Sequence, residues 1–175
     1  MAPRTPSVSL AEAVFLLSGK SPEVEGRRCV LTPLSRPRPV RIGLFSELDG
    51  ETSASEYRGT LYPKQGAFYV RYEETAEDRG RCSVTVKWNA GGLAIVRHGE
   101  TEGEQSFRPG FRTAGWLRTG AGRLRLEMET AELSIAPEAA DRLPIEIAWR
   151  YELWMNEQWA GRLNLRLVVQ EENEE

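Results

Sequence analysis

The sequence predicts an all-β fold, a closed antiparallel up-and-down β-barrel of about eight to ten strands. Three observations predict it. From Arg38 onward, apolar and polar residues alternate in segment after segment, the pattern of strands with one buried face. Short polar or glycine-containing breaks separate these segments, as in antiparallel hairpins. Only one weak helix signal occurs anywhere, so a long meander must protect its own edges, and closure does that. A two-sheet sandwich is the second choice.

Residues 1–37 stand apart, rich in Pro, Arg and Ser and without alternation. Ser9-Leu10-Ala11-Glu12 forms a capping box, Ala11–Leu17 is helix-permissive and Gly19 suits a C-terminal cap. At most one short helix is expected there. Pro33, Pro37 and Pro39 favour an extended linker into the barrel domain, residues 38–170.

The first strand carries Val40, Ile42 and Leu44 on one face. Ser53–Tyr62 is the second, with Tyr57 and Leu61 together. Pro63–Gly66 turns the chain into Ala67–Glu74, aromatic on both faces. Thr75–Arg81 is a polar loop. Cys82–Trp88 sets Val84, Val86 and Trp88 against Thr85 and Lys87. Asn89–Gly92 turns into Leu93–His98, and Glu102–Arg108 precedes the turn at Pro109-Gly110. Phe111–Thr119 and Gly122–Ile135 form a hairpin around Gly120-Ala121, with glycine first as a type II′ turn prefers. It pairs Leu117 with Leu124 and Gly115 with Leu126, and sets Arg112 opposite Glu129. The apolar parity changes from Leu124, Leu126 and Met128 to Ala131, Leu133 and Ile135, which predicts a β-bulge near Thr130.

The last hairpin, Leu143–Gln170, has the clearest pattern. Ile145, Ile147, Trp149, Tyr151 and Leu153 form one face of its first arm. Trp159, Leu163, Leu165 and Leu167 form the inner face of its second. A three-residue loop, Met155-Asn156-Glu157, sets Leu153 against Trp159, Trp149 against Leu163 and Ile147 against Leu165, with Glu146 opposite Arg166 outside. A two-residue loop shifts the pairing by one and sends apolar residues into water. The three-residue loop is therefore expected, with Asn156 or Glu157 left-handed. Residues 171–175 are read as an acidic, solvated tail.

The chain of 175 residues has a net charge of −3. Of its 23 basic residues only Lys20, Lys64 and Lys87 are lysines, and the arginines are scattered singly. Nothing marks a nucleic-acid binder. The longest apolar run, Ala13–Leu17, is far short of the ~20 residues that span a membrane. It also makes a poor signal peptide. No membrane partner and a cytoplasmic location are expected. Cys29, Cys82 and His98 lack metal-ligand spacing, so neither metal nor cofactor is expected. Cys82 shares parity with Val84 and reads as a buried free thiol, a disulfide to Cys29 being the alternative.

From Arg38 the chain resembles the YwiB-like family of uncharacterised bacterial proteins. The matching residues are Tyr62-Pro63-Lys64, Tyr69–Glu74 and Thr85-Val86-Lys87. The most distinctive block is Val96-Arg97-His98-Gly99 with Gln105-Ser106-Phe107 and Gly110. Gly122–Leu126, Thr130 and Tyr151-Glu152-Leu153 also fit. The resemblance spans roughly residues 38–170. It implies a calycin- or lipocalin-like barrel with room for an internal ligand. It implies no catalytic residues, and His98 stands where family members often carry Ser.

Candidate chemistry is sparse. Ser18-Gly19-Lys20-Ser21 looks like the end of a phosphate loop, but Val14 stands where a glycine is needed and Pro22 interrupts the following helix. No Gly-x-Ser-x-Gly occurs, and a triad would depend wholly on His98, read as a solvent-touching residue at a strand end. Glu127, Glu129, Glu146 and Glu152 face Arg112, Arg150, Arg162 and Arg166 as outer-face pairs, each worth ~0.2–1 kcal/mol. No enzyme activity is expected.

Arg97 shares parity with Leu93 and Ile95 and points inward, where a guanidinium must be paired. Two readings stay open. In the first, Arg97 anchors the anionic group of a small, partly apolar ligand whose apolar part lies among Phe107, Trp88, Trp149 and Tyr151, with Gln105 also at the site. In the second, Gln105, a carboxylate or backbone carbonyls satisfy Arg97 within a filled core. The barrel then works in structure or protein interaction through an outer patch around Trp116 and Trp154, a homodimer being one form of association.

Overall fold

The computed structural model describes residues 36–64, 67–76, 80–137 and 142–173. The expected helix over Ala11–Leu17, the phosphate-loop-like segment and Cys29 lie outside these residues. The described chain forms ten strands: β1 (Arg38–Leu48), β2 (Glu51–Lys64), β3 (Ala67–Ala76), β4 (Gly80–Asn89), β5 (Gly92–Gly99), β6 (Glu102–Phe107), β7 (Arg112–Thr119), β8 (Gly122–Ala136), β9 (Ile145–Met155) and β10 (Gln158–Glu171). Each pairs antiparallel with its sequence neighbour, and β1 pairs with β10, closing the barrel. The sandwich is excluded, because that last ladder, from Val40↔Glu171 to Leu48↔Leu163, leaves no free edge.

Alternation decides which side chains enter. On β9, Ile145, Ile147, Trp149, Tyr151 and Leu153 are buried, while Glu146 is exposed and Glu152 half-buried. On β4, Cys82, Val84, Val86 and Trp88 are buried. The β7–β8 hairpin pairs as its sequence predicts, Leu117 with Leu124, Gly115 with Leu126 and Arg112 with Glu129. The positive φ, however, falls on Gly122 (129°) and not on Gly120, so the turn is not the expected type II′. The predicted bulge lies between Thr130 and Glu132. It lets Leu133 and Ile135 pair with Trp149 and Ile147, both of which are buried.

The last hairpin departs from expectation. Its loop has two residues, Asn156 and Glu157, at φ 48° and 69°, the double left-handed turn that suits twisted strands. Gln158 pairs with Met155 and Trp159 with Trp154. A bulge at Ala160 then absorbs the one-residue shift, so that Gly161 meets Leu153, Leu163 meets Tyr151, Leu165 meets Trp149 and Leu167 meets Ile147. Trp159, expected inside, is 54% exposed. Arg166 stands opposite Ala148 and reaches Glu146 diagonally at 3.7 Å. The start of the acidic tail is tied down rather than free. Glu171 belongs to β10 and pairs with Arg38 at 3.0 Å, and Glu172 pairs with Arg58 at 3.3 Å.

Candidate functional site

One interior rung organises the polar part of the core. It runs Gly59, Tyr72, Val84, Arg97, Gly103, Leu117, Leu124 from β2 to β8. The two glycines bracket the two long polar side chains. A Cβ on Gly59 would lie 2.8 Å from Ile42 Cδ1, and one on Gly103 would lie 2.9 Å from Leu117 Cδ1. The rung therefore has no room for a side chain at either glycine.

Arg97 is the one charged side chain buried among the described residues. Its Nη1 donates to Gln105 Oε1 at 3.1 Å. Burial by itself would push the guanidinium down. The Glu74 carboxylate, together with Tyr72, Cys82 and Tyr151, outweighs this and holds Arg97 above its ordinary value. Glu74 is half-buried near the end of β3 and accepts a hydrogen bond from Tyr72 Oη at 3.4 Å. Burial, and then Glu74, push the Tyr72 phenol up. Burial likewise raises Tyr151 and the Cys82 thiol. Cys82 is free, as expected, and donates to the Thr101 carbonyl at 3.3 Å. These groups are held in their protonated forms at neutral pH.

Of the six residues singled out from sequence, four surround one void: Arg97, Gln105, Trp149 and Tyr151. Phe107 packs beside them, its ring centroid 4.7 Å from Tyr151 and 5.9 Å from Trp149. Trp88 belongs to a different layer. It stacks on Phe68 at 5.9 Å and lies four residues along β4 from Val84, the partner of Arg97, about 13 Å away. The void measures about 10 Å³. That is room for one water-sized particle, and the partly apolar organic ligand pictured from the sequence does not fit in this void. Tyr72, Leu44, Val86, Ile95, Leu165 and Leu167 complete the lining and were not among the six. Inward parity identifies the polar pair Tyr72 and Glu74, which alternate after Val70.

The outer face carries the remaining features. Trp116 and Trp154 point outward as expected but are half-buried, because arginines cover them. Arg123 lies 4.6 Å from the Trp116 ring centroid and Arg112 3.9 Å from that of Trp154. Trp159, the cross-strand neighbour of Trp154, is bare. The expected carboxylate–arginine pairs form, Arg112 with Glu127 at 2.8 Å and Arg162 with Glu152 at 3.2 Å. An open depression of about 400 Å³ lies over β1 and its two neighbours, between Phe45, Ala54 and Arg166. His98 is exposed at the end of β5. Among the described residues no three His, Cys, Asp or Glu side chains are placed to hold a metal, and no helix is long and apolar enough to cross a membrane.

A family model for a domain of unknown function, DUF1934, matches residues 45–167. The chain belongs to this family. The match contains the whole polar rung and all six residues named above. A solved structure, the ywiB protein from Bacillus subtilis, is 22% identical and superposes with a TM-score of 0.63, covering 79% of this chain and 93% of that one. The YwiB-like resemblance read from the sequence is thereby shown, and so is the shared fold. No curated protein matches the chain.

Proposed function

We propose that the protein is a non-catalytic interaction barrel that works through its outer surface on another protein. The observation that carries this reading is the interior void of about 10 Å³, against ~300–1,000 Å³ for a site that holds an organic small molecule. Around Arg97 the interior is occupied by the barrel's own side chains. Outside, the Trp159–Trp154 pair supports a contact surface. A bare tryptophan beside a second one flanked by Arg112 has the composition of interface hot spots. The partner is a second copy of the chain or another protein of the same compartment, for which the sequence favours the cytoplasm.

Two measurements test this. Native mass spectrometry of protein purified from its own host should give the polypeptide mass, alone or in a protein complex. A stoichiometric organic adduct would overturn the reading in favour of an internal ligand gripped by Arg97. A photoreactive amino acid in place of Trp159 should cross-link to protein, whereas the same group at Lys87, exposed on β4, should not. Equal labelling from both positions would remove the assigned surface.

A further inference from the structure

The unpaired polar atoms on the residues lining the void beside Arg97 are of one kind. Three buried nitrogens on its lining residues have no hydrogen-bond partner: Arg97 Nε, Gln105 Nε2 and Trp149 Nε1. All three are N–H donors. The Gln105 side chain lies beside the Tyr151 phenol, but its amide nitrogen makes no bond of normal geometry. The three residues are 5%, 1% and 3% exposed, so bulk water does not serve them. Buried donors left unpaired are costly, and a guanidinium most of all. A cavity lined by the three residues that carry these donors, and sized for one small particle, calls for an acceptor.

A water is the ordinary occupant of such a space, but it matches this one poorly. It accepts about two hydrogen bonds and must place two protons of its own. The orphaned atoms among the lining residues are all donors. Glu74, which supplies the countercharge, is engaged with Tyr72 Oη. A spherical anion accepts from every direction and carries no proton to place. The geometry points to a binding site for one monatomic anion of the halide class, held by Arg97 Nε, Gln105 Nε2 and Trp149 Nε1. Tyr72, Tyr151, Leu44 and Leu165 also line the site. The anion is then a structural ligand that favours the closed barrel, since anything that binds the folded chain alone stabilises it.

The test uses chloride and bromide as probes. At constant ionic strength, replacing gluconate by chloride should raise the Tm by about 5 °C or more per hundredfold excess over Kd. Crystals grown with bromide should show one anomalous peak within hydrogen-bonding distance of the three nitrogens. Gln105→Glu supplies an internal carboxylate of the same shape beside Arg97. That variant should fold, keep its Tm without halide, and lose the chloride dependence. Three results would overturn the inference: a water-sized, non-anomalous feature in the void, equal Tm in chloride and gluconate, or an undiminished chloride response in Gln105→Glu.

Discussion

Gln105→Met removes the one side-chain acceptor that Arg97 has, Gln105 Oε1 at 3.1 Å. Methionine matches glutamine in length and flexibility, so the packing around the void is nearly kept. What changes is that a buried guanidinium loses its hydrogen-bonded partner. Stripping the partner from a buried charge costs about 3 kcal/mol. For a barrel of this size that is a Tm drop of roughly 10 °C. Arg97→Met alone leaves the Gln105 amide unpaired and some volume unfilled, which costs about 2 kcal/mol. The double variant removes both members of the pair together, so neither is left without the other. It should recover about 2 kcal/mol relative to the sum of the singles, the non-additivity expected of contacting residues. Urea unfolding of the four proteins, followed by tryptophan fluorescence, measures the cycle. A double variant at the additive sum would mean that Gln105 does not satisfy Arg97, and the account of this core would fail.

Three other outcomes follow from the same structure. Glu157 sits at φ 69° in the last hairpin and its ion pair with Arg125 is solvent-exposed. Glu157→Gly should therefore stabilise by about 0.5–1 kcal/mol in urea unfolding. Gly99→Ala should destabilise by more than about 1 kcal/mol, because φ is 135° and the added Cβ would lie 2.4 Å from the Arg81 carbonyl oxygen. Tyr72 and Tyr151 have folded pKa values above the ordinary 10.0. Their contribution is fully present below about pH 10 and is lost above it, since the unfolded chain releases these protons first. Absorbance at 295 nm should show these two phenols ionising only as the barrel unfolds in alkali. Early, reversible titration of every tyrosine would contradict their burial.

The register of the last hairpin shows why one part of the fold was legible and another was not. Alternation assigns faces, and it placed Trp149, Tyr151, Leu163 and Leu165 inside correctly. It does not distinguish two registers that differ by two residues, because both keep the same faces. A three-residue loop without a bulge and a two-residue loop with a bulge at Ala160 satisfy the pattern equally beyond Gly161. They differ only at Trp159, which the first buries and the second exposes. In β8 the bulge left a mark, since the apolar parity itself changes at Thr130. In β10 the bulge corrects the phase that the short loop had shifted, and no trace remains in the pattern.

The candidate site divides along the same line. Parity alone turned Arg97 and Gln105 inward, and the need to pair a buried charge linked them. Whether the space beside them holds a ligand depends on volume, and volume belongs to closure. The β1–β10 ladder brings Leu44, Leu165 and Leu167 against Tyr72, Trp149 and Tyr151, and that approach leaves about 10 Å³. By itself the sequence determined the strands, their inward faces and the polar pair at the centre, because each rests on local periodicity and on the cost of burying charge. Only the tertiary structure decided that the space beside Arg97 is small, that Trp159 is exposed, and that three residues with unpaired donors line one void. Those outcomes depend on the distance between strands remote in sequence, which no period of two records.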